Sequence, residues 1–412
     1  YINSFDIWTD RYGTGNLYML EDNNLHKLIQ GNFVLKGSFS WSNTSNVRLT
    51  GYERGGVATL YSAAVGNSST QFFLSTNDGQ SWSAKGSVNS KPFMINSFAC
   101  SATDPSKLFY GGVEAFRSFT GASAFTKVNT WQSYYSFVND SLHADIPGIC
   151  PFIKQGGGEV IFVCTDGGIY RSDDHMVSFS NRSLENLNVS QYYSIYTSRA
   201  NTSFLHAGSQ DQGYQLSNQG GPGALNFDQV WSGDYGHIIS GDNGQSVWMN
   251  YPGFTVIYPD ILYNTTRYTW NFNMNGNLWI PPMMMDPYDP NCVILAGGGL
   301  NGGAHLIQLY FTGSSIIPME FPFDFSQGGS ANITAVASSP LDKDCWYVLT
   351  SDGRFFHSAD AGTTWTLMKD YNFSFGHYFY GADILPSPNE EGKVYICGSG
   401  YSNPPVFELK GH

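Results

Sequence analysis

Four aspartates stand in glycine-bearing turns: Asp166 in CTDGGIYRSDD, Asp211 in SQDQG, Asp234 in SGDYG and Asp242 in SGDNG. Two carboxylates on either side of a bound sugar are what glycoside hydrolysis requires, one as proton donor and one as base or nucleophile. Turns of this type also form for conformational reasons alone. The Asp oxygen accepts neighbouring amides and the Gly takes positive φ. Each of these acids is therefore a candidate for chemistry and equally a candidate turn residue.

Other chemistries lack their signatures. The nine histidines include no H-E-x-x-H pair and no metal-ligand cluster, and His206, His237 and His377 are isolated. No G-x-S-x-G elbow is present. GGGLNGG (297–303) lacks the Lys of a phosphate loop and reads as a connection between strands, and PPMMM (281–285) reads as entry into the core. No metal or cofactor is expected. Trp8, Trp41, Trp131, Trp231 and Trp270 are rings that could stack on sugars or fill a core.

A further stretch, HSADAGTTWTL (357–367), spaces Ser358, Asp360, Gly362, Thr364 and Trp365 in a regular way, and it has relatives within the chain. STNDGQSW keeps Ser75, Gly79 and Trp82, with Asn77 in the aspartate's place. SDDHMVSF keeps Ser172, Asp174 and Phe179, with Met176 where Gly is expected, and SFTGASAF keeps Ser118 and Phe125. Each follows a short apolar strand. Upstream, a polar Pro/Asp/Asn turn leads into another strand, as in SPLDKDCWYVLTSDGRFFHS and MDPYDPNCVILAGGG. Units of this plan recur roughly every 40–50 residues, the period of a β-propeller blade of about four strands.

The elements that must position any site are thus all-β: a single β-propeller domain over residues 1–412, of about eight four-stranded blades, with seven or nine open. The N-terminal residues 1–45 are expected to complete the last blade, closing the ring with N- and C-terminal strands. No Pro-rich linker or run of charge marks a boundary.

The full match at 358–365 resembles the Asp box of BNR-repeat β-propellers, a family that includes sialidases, sortilin-type receptor propellers and xyloglucanase-type glycoside hydrolases. The resemblance implies that Ser358, Asp360, Gly362 and Trp365, with Ser75, Asn77, Gly79 and Trp82, are scaffold between the third and fourth strands of a blade. The sialidase activity is not implied, because the family's Arg-Ile-Pro stretch is absent and the nine Arg are scattered. The xyloglucanase-type enzymes carry a catalytic Asp in a Thr-Asp-x-Gly-Gly stretch, which nominates Asp166. They work in a cleft between two propellers, so the second acid has no obvious source here, Asp211, Asp234 and Asp242 being the nearest in kind.

Composition narrows the partners. The net charge of −13 and the absence of any Lys/Arg cluster exclude a nucleic-acid binder. No window of apolar residues is long enough for a transmembrane helix. Only 13% of residues are charged, while 16% are aromatic. Glycans could solvate such a surface. Nine sequons are available: Asn43, Asn67, Asn139, Asn181, Asn188, Asn201, Asn264, Asn332 and Asn372. With six cysteines they point to an extracellular or cell-surface chain, trimmed of any signal peptide. Cys100 and Cys150, at like positions on neighbouring first strands, are the expected disulfide. The function expected is a secreted binding or assembly propeller for glycan, protein or further copies of itself, the alternative being a glycoside hydrolase or lyase.

Overall fold

The computed structural model describes residues 5–10, 12, 15–41, 46–185, 187, 191–221, 225–261, 264–371, 379–400 and 405–410. Asn43, Asn188, Asn372 and His377 fall outside them. The fold is all-β and of the propeller class. Nine antiparallel sheets follow one another along the chain, and each is a meander whose strands pair in sequence order. Eight have four strands, and the ninth (residues 380–410) has three among the described residues. Two short 3-10 turns, Trp131–Tyr135 and Arg182–Leu184, are the only helical elements among the described residues.

The chain forms two compact units, Tyr1–Val189 with four sheets and Ser190–His412 with five. Within each unit, one apolar cluster lies between each sheet and the next. This explains strands that are buried on both faces. In the strand Val247–Tyr251, Val247 and Met249 enter the cluster shared with the preceding sheet. Trp248, between them, enters the cluster shared with the following one. Successive side chains point to opposite faces, so a sheet sandwiched by neighbours reads as a continuous apolar run.

Nine sheets among the described residues fall within the expected range, and the N-terminal segment pairs with itself. Phe5–Thr9, Leu17–Glu21, Asn24–Ile29 and Asn32–Ser38 make a complete sheet. Its hairpins close through positive-φ residues, Asp22 (φ 50°) in one and Gln30 and Gly31 (φ 49° and 84°) in the other. This segment makes a four-stranded sheet of its own.

The repeated serine turn has one hydrogen-bond plan in every copy. Ser358 Oγ accepts from Gly362 N at 2.9 Å and donates to Asp360 Oδ1 at 2.8 Å. Thr364 donates its amide to Oδ1 and its hydroxyl to Oδ2. Ser172, Asp174, Met176 and Ser178 repeat this. Ser75, Asn77, Gly79 and Ser81 keep three of these bonds, and the fourth is reversed, Asn77 Nδ2 donating to Ser81 Oγ. At 118–124 the plan survives with Thr120 as acceptor. All four lie between third and fourth strands.

The fifth residue of the turn is left-handed in each copy: Gly79 (φ 80°), Ala122 (66°), Met176 (65°) and Gly362 (81°). A Cβ at Gly362 would stand 2.9 Å from the Trp346 ring, and one at Gly79 would collide with Leu25. Ala122 and Met176 instead bury their side chains in the adjoining clusters, which offsets their backbone strain.

Candidate functional site

The candidate acids are placed as turn-makers. Asp242 belongs to a fifth copy of the serine turn. Ser240 Oγ donates to its Oδ1 at 2.8 Å, Ser246 donates its amide to Oδ1 and its hydroxyl to Oδ2, and Gly244 N donates to Ser240 Oγ. This copy links the first and second strands of its sheet, Ile238–Ile239 and Val247–Tyr251. Both carboxylate oxygens of Asp242 are engaged within this turn.

Asp211 and Asp234 are brought together. The Asp211 amide, at φ 58°, donates to Asp234 Oδ1 at 3.0 Å, and Gly233 N donates back to the Asp211 carbonyl. Gly213 is required in this clamp, because a Cβ there would lie 1.8 Å from the Trp231 carbonyl oxygen. Asp166 lies in the tight turn between Glu159–Thr165 and Gly168–Ser172. Its amide donates to the Asp145 carbonyl, and Thr165 Oγ1 closes the turn onto Gly168 O.

No group of three or more His, Cys, Asp or Glu suited to a metal occurs among the described residues. His206 is fully buried and hydrogen-bonded to Tyr214 OH at 2.9 Å, and burial lowers its pKa to about 4. Burial also lowers His237.

Acids that the sequence reading passed over line the first strands of the first unit. A cavity of about 300 Å³ is bounded by residues of Phe5–Thr9, Asn46–Arg54, Phe98–Cys100 and Gly148–Ile153. Asp6 and Asp10 both border it, and both are pinned. Asp6 accepts from Leu49 N at 2.7 Å and Ile7 N at 2.8 Å, while burial raises its carboxyl above the usual value. Asp10 accepts from Tyr12 N and from Arg54.

The bond from Leu49 N to Asp6 belongs to a series. Thr50 Oγ1 accepts from Cys100 N at 3.0 Å, and Ser194 Oγ accepts from Ile238 N at 3.1 Å. In each case a polar side chain on one first strand satisfies an amide on the next. Glu159 does similar work one strand further out, accepting from Ser101 Oγ, Ala102 N and His175 Nδ1. The alternation of Asp6, Trp8 and Asp10 was the available sequence signal.

Cys100 and Cys150 both border the cavity but are not joined; all six cysteines are thiols. Asn96 bridges Gly148 in parallel. That register sets Cys150 level with Phe98 and Cys100 with Phe152. Two residues of stagger is about 6–7 Å along the strands. Added to the separation between strands, it exceeds the roughly 7 Å Cα limit for a disulfide.

A groove of about 990 Å³ lies between the second and third sheets of the first unit. Phe93, Val113, Phe116, Phe125 and Trp131 supply apolar surface, and Lys91, Glu114 and Gln132 supply polar groups. Its wall is held rigidly. Thr70 Oγ1 and Tyr110 OH both donate to the Ser90 carbonyl, and Phe93 N donates to Gly111 O. Gly112 admits no side chain, since a Cβ would meet Ser90 Oγ at 2.1 Å. On the opposite wall Lys127 pairs with Glu114, which also accepts from Trp131 N.

Of the tryptophans weighed as sugar platforms, Trp41 is buried in the core and stacks edge-on with Trp82 and Phe73. Trp8 and Trp270 pack against core clusters. Trp131 and Trp231 are exposed, as is Trp279, which the sequence reading did not single out.

No family model matches the chain, and no curated protein sequence matches it. Among solved structures it is similar to YCF48 from Cyanidioschyzon merolae, at 12% identity and a TM-score of 0.39, over 76% of this chain and 94% of that one. It is similar to the Cps50 (Swd1) beta-propeller domain of Myceliophteria thermophila, at 11% identity and 0.38, over 54% and 71%. It is also similar to the GH74 xyloglucanase from Xanthomonas campestris, at 10% identity and 0.33, over 100% and 78%. At these scores the likenesses carry no functional argument.

Proposed function

We propose that the protein is an extracellular binding propeller of the Asp-box (BNR) type, holding a glycan or a protein segment in the groove between its second and third sheets. The observation that carries this is the groove itself. Rings at its rim, Phe93 and Trp131, stay exposed while the backbone beneath them is fixed by buried hydrogen bonds. A pre-formed apolar concavity with a few polar groups is how small ligands are commonly held, and exposed aromatic surface suits sugar faces.

The occupancy of Asp242, Asp6 and Asp10 by turn and strand amides supports binding over hydrolysis. Two assays test the reading. Polysaccharides and glycan arrays should yield ligands whose affinity Trp131→Ala abolishes without lowering the melting temperature. Incubation with the same panel should release no reducing ends. Turnover that disappears in Asp166→Asn would replace this reading with a glycoside hydrolase.

A further inference from the structure

Arg54, Arg171, Arg182 and Arg354 are each paired with a carboxylate. Arg267, in the second unit, has no ion pair among the described residues. Its guanidinium carbon lies 3.2 Å from the centroid of the Trp231 ring, which is 47% exposed. Its Nη1 donates long hydrogen bonds to Tyr235 OH (3.4 Å) and Tyr258 OH (3.5 Å), both tyrosines being fully buried.

This arrangement holds the guanidinium plane in place and uses one nitrogen. The Nη2 and Nε edge has no partner among the described residues and is not sealed from solvent. That edge is the fork that matches two oxygens of a carboxylate or sulfate. Tyr235 remains a neutral acceptor beneath the guanidinium. Burial, followed by its neighbour Tyr258, raises its pKa, so its hydroxyl keeps its proton. The site therefore holds a cation with a free donor edge and, among the described residues, no counter-anion.

We propose that Arg267, clamped by Trp231, Tyr235 and Tyr258, is a subsite for the anionic group of an acidic sugar, carboxylate or sulfate. The exposed indole supplies the apolar platform that a sugar ring needs beside its charged substituent. The site is separate from the groove proposed above and stands or falls independently of it. With a net charge of −13 the protein repels polyanions at long range, so generic adhesion to a basic surface is not the source of binding.

The test is titration of the full chain with polygalacturonate (carboxylate), dextran sulfate (sulfate) and neutral dextran, followed by calorimetry and tryptophan fluorescence. At least one polyanion should bind and shift the fluorescence, while dextran should not. Arg267→Gln should weaken that binding by about tenfold or more, the scale of one charge-assisted hydrogen bond. Arg267→Lys keeps the charge without the fork and should fall between. It also serves as the control where Arg267→Gln unfolds, each variant's fold being checked by thermal melting. Whichever polyanion depends on Arg267 identifies the group. Absence of polyanion binding, equal binding of dextran, or a folded Arg267→Gln or Arg267→Lys that binds as wild type would each overturn the proposal.

Discussion

Thr364 donates twice to Asp360, from its amide to Oδ1 at 2.8 Å and from its hydroxyl to Oδ2 at 2.6 Å. Asp360→Ala removes the acceptor for both and for Ser358 Oγ. The turn is partly exposed, so water replaces some of what is lost. The expected cost is about 1 kcal/mol, or a fall of about 2–4 °C in melting temperature. Asp360→Asn should cost less, because Asn77 already fills this position in the second sheet, its Oδ1 accepting from Ser81 N and its Nδ2 donating to Ser81 Oγ. Equal losses for Ala and Asn in thermal melts would show that the charge, not the acceptor geometry, holds the turn.

The same turns make stability sensitive to acid. Hydrogen bonds from the Thr364 hydroxyl and amide hold Asp360 below the ordinary carboxylate value of 3.8. At Asp174, burial pushes upward, but the Ser178 hydroxyl and amide outweigh it and the net direction is also down. A folded pKa below the unfolded one stabilises fully above the unfolded value, and this is lost as pH falls through the folded value. Denaturant melts of wild type should therefore weaken below about pH 4, and the double variant Asp174→Asn, Asp360→Asn should show a flatter decline. Identical pH profiles would refute the assignment.

The blade plan was legible in the sequence because strand alternation and turn chemistry are local. Ser358, Asp360 and Gly362 lie within five residues and specify one turn between them. The copy at Asp242 was read as possible chemistry because it joins first and second strands and no Trp follows it; Val247 stands there instead. The roles of Asp6 and Thr50 were hidden for a different reason. Their acceptors serve amides on the next sheet, at Leu49 and Cys100, and no local spacing records that register. The Trp231 and Arg267 stack is likewise a meeting of two sheets, visible only once both are packed.

Asn181 sets a limit on glycosylation. Its side chain accepts from Ser183 N at 3.1 Å and donates to Val138 O at 3.0 Å, and the residue is buried. A glycan on this nitrogen would break the second bond and has no room. Asn67, Asn139, Asn201 and Asn264 are exposed. In material from a eukaryotic secretory host, glycopeptide mapping should find carbohydrate among those four and none at Asn181. Asn181→Gln should lower the melting temperature, whereas Asn67→Gln should not. High occupancy at Asn181 would contradict the packing described.

The thiols should differ sharply in reactivity. Burial, reinforced by Glu159, Asp104 and Asp10, raises the Cys100 thiol well above its ordinary value. Burial likewise pushes Cys292 up to about 12, with Asp289 and Asp286 adding to it. Only a thiolate alkylates at a useful rate, so both should resist iodoacetamide in the native protein at pH 8. Cys150 is half-buried and should react ahead of them. Pulsed alkylation with peptide mass spectrometry, run with and without denaturant, reads the order directly. Cys100 and Cys292 should be labelled only on unfolding, and a non-reducing map should lack a Cys100–Cys150 peptide pair. Recovery of that pair would show that the two first strands are aligned residue for residue, against the stagger set by Asn96 and Gly148.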